Sequence, residues 1–114
     1  MHLLWLQFFK KLVQGGTIFV AKQDTVLVGF MEVKDGWLHH LYITPSYQGK
    51  GIGTLLLLHA KSVSPQGLQL WVFEQNEGSI RLYEREGFVL VEKRSKEEAA
   101  NEEHLPDRRY MWQV

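Results

Sequence analysis

Apolar residues recur along this chain with two different periods, and the switches between them mark out its elements. Near the start, Trp5, Phe8, Phe9, Leu12 and Val13 fall on a broad stripe at helical spacing, which predicts a helix over residues 2–14. Leu3, Leu4 and Leu6 widen that stripe beyond one face, and Gly15-Gly16 stops it. Residues 17–22 and 26–33 read as strands joined by a tight turn at Gln23-Asp24-Thr25. Lys34-Asp35-Gly36 makes a second hairpin turn, into a strand over 37–43 that Pro45 ends. A helix from Gly51 to about Val63 is apolar nearly all round, so it is expected to be buried on more than one side. Ser64-Pro65-Gln66-Gly67 turns the chain into a strand over 68–73.

The next helix has clear punctuation. Asn76 is a good N-cap, and Glu77 and Arg81 form an i,i+4 pair in the favourable order. Gly87 followed by Phe88 suits a Schellman end. Residues 88–94 form a strand, 95–106 a long polar hairpin loop, and 107–114 a last strand. Mixed strands with interspersed helices imply an α/β or α+β layer fold. The strand over 37–43 carries a finer signal. Its inward residues Leu38, Leu41 and Ile43 break the period of two, and one extra residue at His39-His40 reconciles them as a β-bulge. A bulge splays strands and leaves backbone N–H and C=O groups able to pair with an amide-bearing ligand.

Bulk properties narrow the function classes. The 114 residues suffice for one domain, 1–114, burying roughly two-thirds of the unfolded surface. Lys+Arg and Asp+Glu are both 13, so no basic excess points to nucleic acid, and neutrality permits self-association. There is no cysteine, which excludes disulfides, zinc–thiolate sites and thiol nucleophiles. No metal site is expected. The lysines at 10 and 11 follow the first apolar stretch rather than precede it, unlike a signal peptide, and no run suffices to span a bilayer. The expectation is a cytoplasmic protein.

Candidate chemistry concentrates at Gln48-Gly49-Lys50-Gly51-Ile52-Gly53, between a strand and a helix. Glycines there let an anion approach the backbone, and the first helical N–H groups and the helix dipole point at it. The site suits phosphate, and a diphosphate spans several donors. The spacing fits neither the P-loop nor the dinucleotide fingerprint.

What stands there is Gln-x-x-Gly-x-Gly, which resembles the acetyl-CoA signature of the GNAT superfamily of N-acetyltransferases. A second motif agrees. Residues 76–88, from Asn76 through Ser79, Leu82, Tyr83 and Gly87 to Phe88, resemble the family's Asn-x-x-Ala-x-x-Phe-Tyr-x-x-x-Gly-Phe. Leu41-Tyr42-Ile43-Thr44-Pro45 resembles its Leu-Tyr-Val-x-Pro. The resemblance covers about residues 17–114. It implies a mixed, mostly antiparallel sheet of about six strands, with helices on both faces and strands splayed at the acetyl-CoA site.

By this resemblance, Gln48, Gly49, Lys50, Gly51, Ile52, Gly53 and Thr54 hold the CoA diphosphate through main-chain N–H groups. Leu41, Tyr42 and Ile43 offer backbone bonds to pantetheine and the thioester carbonyl. Asn76 binds the CoA arm, and Tyr83 is the proton donor to the departing thiolate. The co-substrate is acetyl-CoA and the acceptor a primary amine of a small molecule or peptide, attacking directly in a ternary complex. The alternatives are a CoA-binding module with little turnover, and a dimeric scaffold that binds nothing.

The sequence departs from the family in two ways. Trp71 stands where some members place a glutamate base, so Glu32, His40 and His39, or a water chain to bulk solvent, are the candidates for that role. Glu32 shares a face with Val28 and Phe30 by alternation. The usual first strand and helix have no counterpart, which leaves an uncovered edge and predicts a homodimer. Trp37, Tyr42, Trp71, Tyr110 and Trp112 are candidates for an aromatic acceptor cleft, and Glu97, Glu98, Glu102 and Glu103 for attraction of a cationic amine.

Overall fold

Residues 6–114 are described by a computed structural model, which contains seven strands, two α-helices and one short 3-10 turn. The chain forms two compact units, Met1–Ser64 and Pro65–Val114.

The first unit is a four-stranded antiparallel meander with one helix. Its strands are β1 (Gln7–Val13), β2 (Gly16–Gln23), β3 (Val26–Lys34) and β4 (Trp37–Ile43), each paired with the next. The hairpin turns follow the local sequence. Asp35 and Gly36 take φ of +51° and +80°, as the two-residue turn between β3 and β4 requires. Asp24, at φ +56°, serves the turn before β3. Helix α1 (Ile52–Val63) packs on one face of this sheet, where Phe19, Ala21, Met31, Val33 and Leu38 are buried beside Leu56, Leu57 and Ala60. Gly29 makes the approach close. A Cβ there would lie 2.9 Å from the Tyr42 carbonyl oxygen and 3.3 Å from a Leu56 methyl.

Two expectations are corrected here. Residues 7–13 are a strand rather than part of a helix, and residues 2–5 lie outside the described residues. The doublets Phe8-Phe9 and Lys10-Lys11 hide the period of two, and a seven-pair ladder with β2 overrides the helical spacing. Gln14-Gly15 is a hairpin turn, with Gly15 at φ +79°, and Gly16 is the first residue of β2. The sheet strands therefore number seven, not about six. Helix α1 is buried along one stripe rather than on several sides, since Leu55 is exposed and Leu58 is 63% exposed.

The second unit is a three-stranded antiparallel sheet with one helix. Its strands are β5 (Leu68–Phe73), β6 (Val89–Arg94) and β7 (Asp107–Trp112), and β7 lies between the other two. Helix α2 (Glu77–Arg85) connects β5 to β6. Its ends follow the sequence closely. Asn76 accepts the Ser79 N–H at the start. At the end Gly87 takes φ +92° while Phe88 N–H donates to the Tyr83 carbonyl and Gly87 N–H to that of Glu84, both bonds of a Schellman motif. Leu68, Leu70, Val72, Tyr110 and Ile80 form the core, and the Tyr110 hydroxyl donates to Glu84 of α2 at 2.7 Å.

Candidate functional site

The first unit carries a bulged strand leading into a glycine loop. On β4 the register passes from Glu32↔His39 to Phe30↔Tyr42, so His40 and Leu41 together oppose Met31. This is the bulge expected at His39-His40. His40 takes φ +57°, a left-handed conformation that costs a non-glycine residue about 1–2 kcal/mol. The extra residue takes the backbone of His40 and Leu41 out of the regular ladder with β3. Leu41 and Ile43 are half-buried, and Tyr42 is exposed with its ring 5.6 Å from that of Phe30. Beyond β4, Thr44 N–H and hydroxyl donate to the Val28 and Leu27 carbonyls, fixing where the loop begins.

The loop is shaped by its own groups. Gln48 N–H donates to the Pro45 carbonyl and its side-chain amide to that of Ile43, so Gln48 braces the turn with both donors. Gly49 and Gly51 then take φ of +75° and +86°, and a Cβ on either would meet nothing within 4 Å. Left-handed backbone, not crowding, selects glycine here, and the space over both is open. Lys50 is exposed between them, its ammonium 5.9 Å from the centre of the Tyr47 ring. Gly51 is the N-cap of α1, which has no side-chain cap and no acid in its first turn. Helix α2, by contrast, has Asn76 and Glu77 in those places. The positive end of α1 is thus left without a carboxylate of its own, behind Ile52, Gly53 and Thr54. These features fit the diphosphate of acetyl-CoA, which needs a bare backbone, aligned N–H groups and no competing negative charge.

The second unit carries Asn76 and Tyr83. Asn76 is exposed, and its side-chain oxygen caps α2 by accepting the Ser79 N–H at 3.4 Å. Tyr83 is buried, with its ring 5.7 Å from Phe88. Burial alone pushes its pKa up to about 12, so its hydroxyl stays protonated at neutral pH.

The candidate bases fall on β3 and β4. Glu32 is half-buried and directly opposite His39, while His39 and His40 are exposed with rings 6.0 Å apart. Glu32 shares its face with Phe30 but not with Val28. A bulge between β2 and β3 makes Val28 an extra residue, and Val28 and Gly29 are buried consecutively. Among the described residues no cluster of His, Asp or Glu is suited to hold a metal. No helix among them is long and apolar enough to cross a membrane.

Two of the residues read from the sequence as an aromatic cleft are engaged within the second unit. Tyr110 is wholly buried and bonded to Glu84, and the Trp71 ring is covered by the Arg94 guanidinium at 3.6 Å. Arg94 belongs to a cluster that sequence reasoning missed. It donates at 2.8 and 2.6 Å to Asp107, which also accepts from Asn101 at 3.2 Å. Asn101 in turn holds both backbone groups of Leu105. The charge-rich loop 95–106 is anchored by this cluster, and Glu98 caps its first turn by accepting from Ser95 N–H. Only the β6–β7 register brings Arg94 to Asp107, and no local spacing signals it.

Comparison with known proteins agrees with this architecture. The family model described as "Acetyltransferase (GNAT) family" matches residues 1–88. A peptidyl-lysine N-acetyltransferase, YjaB of Salmonella typhimurium, is 39% identical over 74 residues, covering 65% of this chain and 50% of the relative. A mycothiol acetyltransferase of Propionibacterium freudenreichii is 33% identical over 89 residues, covering 68% of this chain and 28% of the relative. The chain thus spans half or less of the length of these curated relatives. The solution structure of apo YjaB from Escherichia coli matches with a TM-score of 0.72 and 28% identity, covering 83% of this chain and 63% of that one. Bulged strand, glycine loop, capped second helix and family match converge, and the chain belongs to the GNAT family of acetyltransferases.

Proposed function

We propose that this protein transfers an acetyl group from acetyl-CoA to a primary amine of a small molecule or a peptide, by direct attack in a ternary complex. The observation that carries the reading is the pair of left-handed glycines, Gly49 and Gly51, open above their backbone and leading into a helix start free of carboxylates. In this reading the main-chain N–H groups from Gly49 onward hold the diphosphate, and Gln48 shapes the turn. The bulged backbone at His40 and Leu41, with Tyr42 and Ile43, orients the pantetheine arm and donates toward the thioester oxygen. Asn76 offers its side-chain NH2 to the same arm. Acetyl-CoA itself supplies the activated acyl group. Aligned N–H donors stabilise the negative charge that develops on oxygen, and holding both reactants in place lowers much of the remaining barrier.

Tyr83 is the proposed donor to the departing sulfur. Its raised pKa, about 12, defines how it serves. Burial makes this phenol a weaker acid than the departing thiol, so full proton transfer from it is uphill. A hydrogen bond to the sulfur, followed by protonation from solvent, is the role that its chemistry supports. A homodimer in the cytoplasm belongs to the same reading. The exposed Leu55 and Leu58 of α1 and Val89, Leu90 and Val91 of β6 are apolar surface for a second copy to cover.

One observation favours a second reading, a CoA-binding module with little turnover. By the family resemblance Trp71 stands where some members place a glutamate, and Arg94 stacks on its ring. Release of free thiol from acetyl-CoA across polyamines, amino acids and lysine-bearing peptides decides between them. Turnover with any amine supports the transferase. Binding of the coenzyme without thiol release supports the binding module.

A further inference from the structure

We propose that His39 is the residue that takes the proton from the acceptor amine, with Glu32 opposite it as the carboxylate that attracts the cationic acceptor. This inference rests on the transferase reading above.

The β4 bulge decides which histidine has this partner. Without it, strict alternation would put His39 and Tyr42 on opposite faces of the strand. With the extra residue, His39 and Tyr42 both point away from α1, opposite Glu32 and Phe30 respectively. Directly opposed residues have Cβ atoms about 4.5–5.5 Å apart, so the Glu32 and His39 side chains are neighbours on this face. His40 occupies the left-handed position of the bulge and has no cross-strand partner of its own. His39 is exposed, with its ring 6.0 Å from that of His40. Its lone pair is therefore available on an exposed face.

The surroundings suit an amine. The bulge backbone that the transferase reading assigns to the thioester lies between the Glu32–His39 pair and the Phe30–Tyr42 pair. Trp37, next outward-facing residue along β4, borders the pair on its other side. The charged or titratable groups on this face are Glu32 itself, Tyr42 opposite Phe30, Lys34 beside Trp37, His40 in the bulge, Lys11 two strands away in the row of Ile18 and Glu32, and Lys22, whose ammonium lies 5.7 Å from the centre of the Phe9 ring. Glu32 is thus the one carboxylate among the strand residues on this face of the described meander, and its charge favours an incoming ammonium.

In the step itself, the His39 lone pair removes one proton from the acceptor ammonium, leaving a neutral amine. The amine lone pair forms the new C–N bond as the C–S bond breaks. The acylated nitrogen loses its remaining extra proton to solvent, and the sulfur gains one, so a single proton is released overall when His39 returns its own to water.

The test uses the full chain with acetyl-CoA, and with spermidine and a lysine-bearing peptide as acceptors. His39→Gly is expected to lower kcat by about 10²–10⁴-fold, the usual contribution of a general base. Added imidazole should restore at least a tenth of the lost rate. Glu32→Gln should lower kcat less and raise KM for the cationic acceptor. A coenzyme-induced rise in melting temperature equal to wild type shows that each variant is folded and binds. Rescue by imidazole in His40→Gly but not in His39→Gly overturns the assignment, as does an undiminished rate in His39→Gly. A wild-type protein that binds coenzyme yet acetylates neither acceptor fails the transferase reading itself, and the inference falls with it.

Discussion

Asp107 is 2% exposed, and Arg94 and Asn101 both donate to it. Burial by itself raises its pKa, but the hydrogen bonds from Arg94 and Asn101 and the Arg94 charge outweigh that and hold it below the ordinary value. A carboxyl depressed in the folded state stabilises above its unfolded pKa, about 3.9, and that stability is lost as pH falls through the folded value. Arg94→Met leaves the carboxylate buried and unpaired, which is expected to cost about 3–5 kcal/mol. Thermal melts at pH 7 should show a drop of about 10–20 °C. Melting of wild type from pH 6 downward should show the largest losses below pH 4. An Arg94→Met protein as stable as wild type would deny the cluster its anchoring role. Tyr83 makes the second residue-scale prediction. Tyr83→Phe should reduce kcat by about 10²-fold or more while the Kd for CoA changes less than twofold. Equal loss of both would remove Tyr83 from the chemistry. The motif Leu82-Tyr83 made this residue visible in the sequence, whereas Arg94 and Asp107 sit 13 residues apart on two strands and carry no local signature.

Elements with strong punctuation were legible, and those defined by pairing were not. Helix α2 carries its cap, its acid and its Schellman glycine in order, and it forms over the residues that those signals bracket. Residues 37–43 even disclosed their bulge, because two same-face apolar positions were out of phase. Strand β1 was misread, since its hydrophobic spacing suits a helix and only β2 supplies the ladder that makes it a strand. The glycine loop yields the element-scale prediction. Gly51→Ala forces a Cβ into φ +86° and should destabilise by about 1–2 kcal/mol. It should also weaken CoA binding by more than that stability loss alone accounts for, because the methyl stands in the open space over the helix start. Urea melts and calorimetric titration with CoA separate the two effects, and unaltered affinity would reject this loop as the diphosphate cradle.

At the scale of the whole molecule, charge is balanced, with 13 basic and 13 acidic side chains. Long-range repulsion therefore does not oppose a second copy. Strand β1 pairs with β2 alone among the described residues, but Lys10 and Lys11 at its middle disfavour edge-to-edge pairing with another β1. The expected dimer thus uses the apolar side chains of α1 or β6. Light scattering should give about twice the chain mass of 13.3 kDa, and a value at one chain mass refutes the dimer. Coenzyme at 100 times its Kd should add about 2.7 kcal/mol of stability, seen as a higher melting temperature. No shift at saturating CoA would contradict both the transferase and the binding-module readings.

By itself the sequence determined the family, both helices, most strand limits, the bulge and the glycine loop. Each of these rests on forces acting within a few residues: left-handed backbone at glycine, caps at helix ends, alternation along a strand. The tertiary structure alone decided that residues 7–13 pair as a strand, that His39 rather than His40 faces Glu32, and that Arg94 covers Trp71 while holding Asp107. Those outcomes depend on register between strands, and a one-residue change of register exchanges every face, so no local pattern contains them.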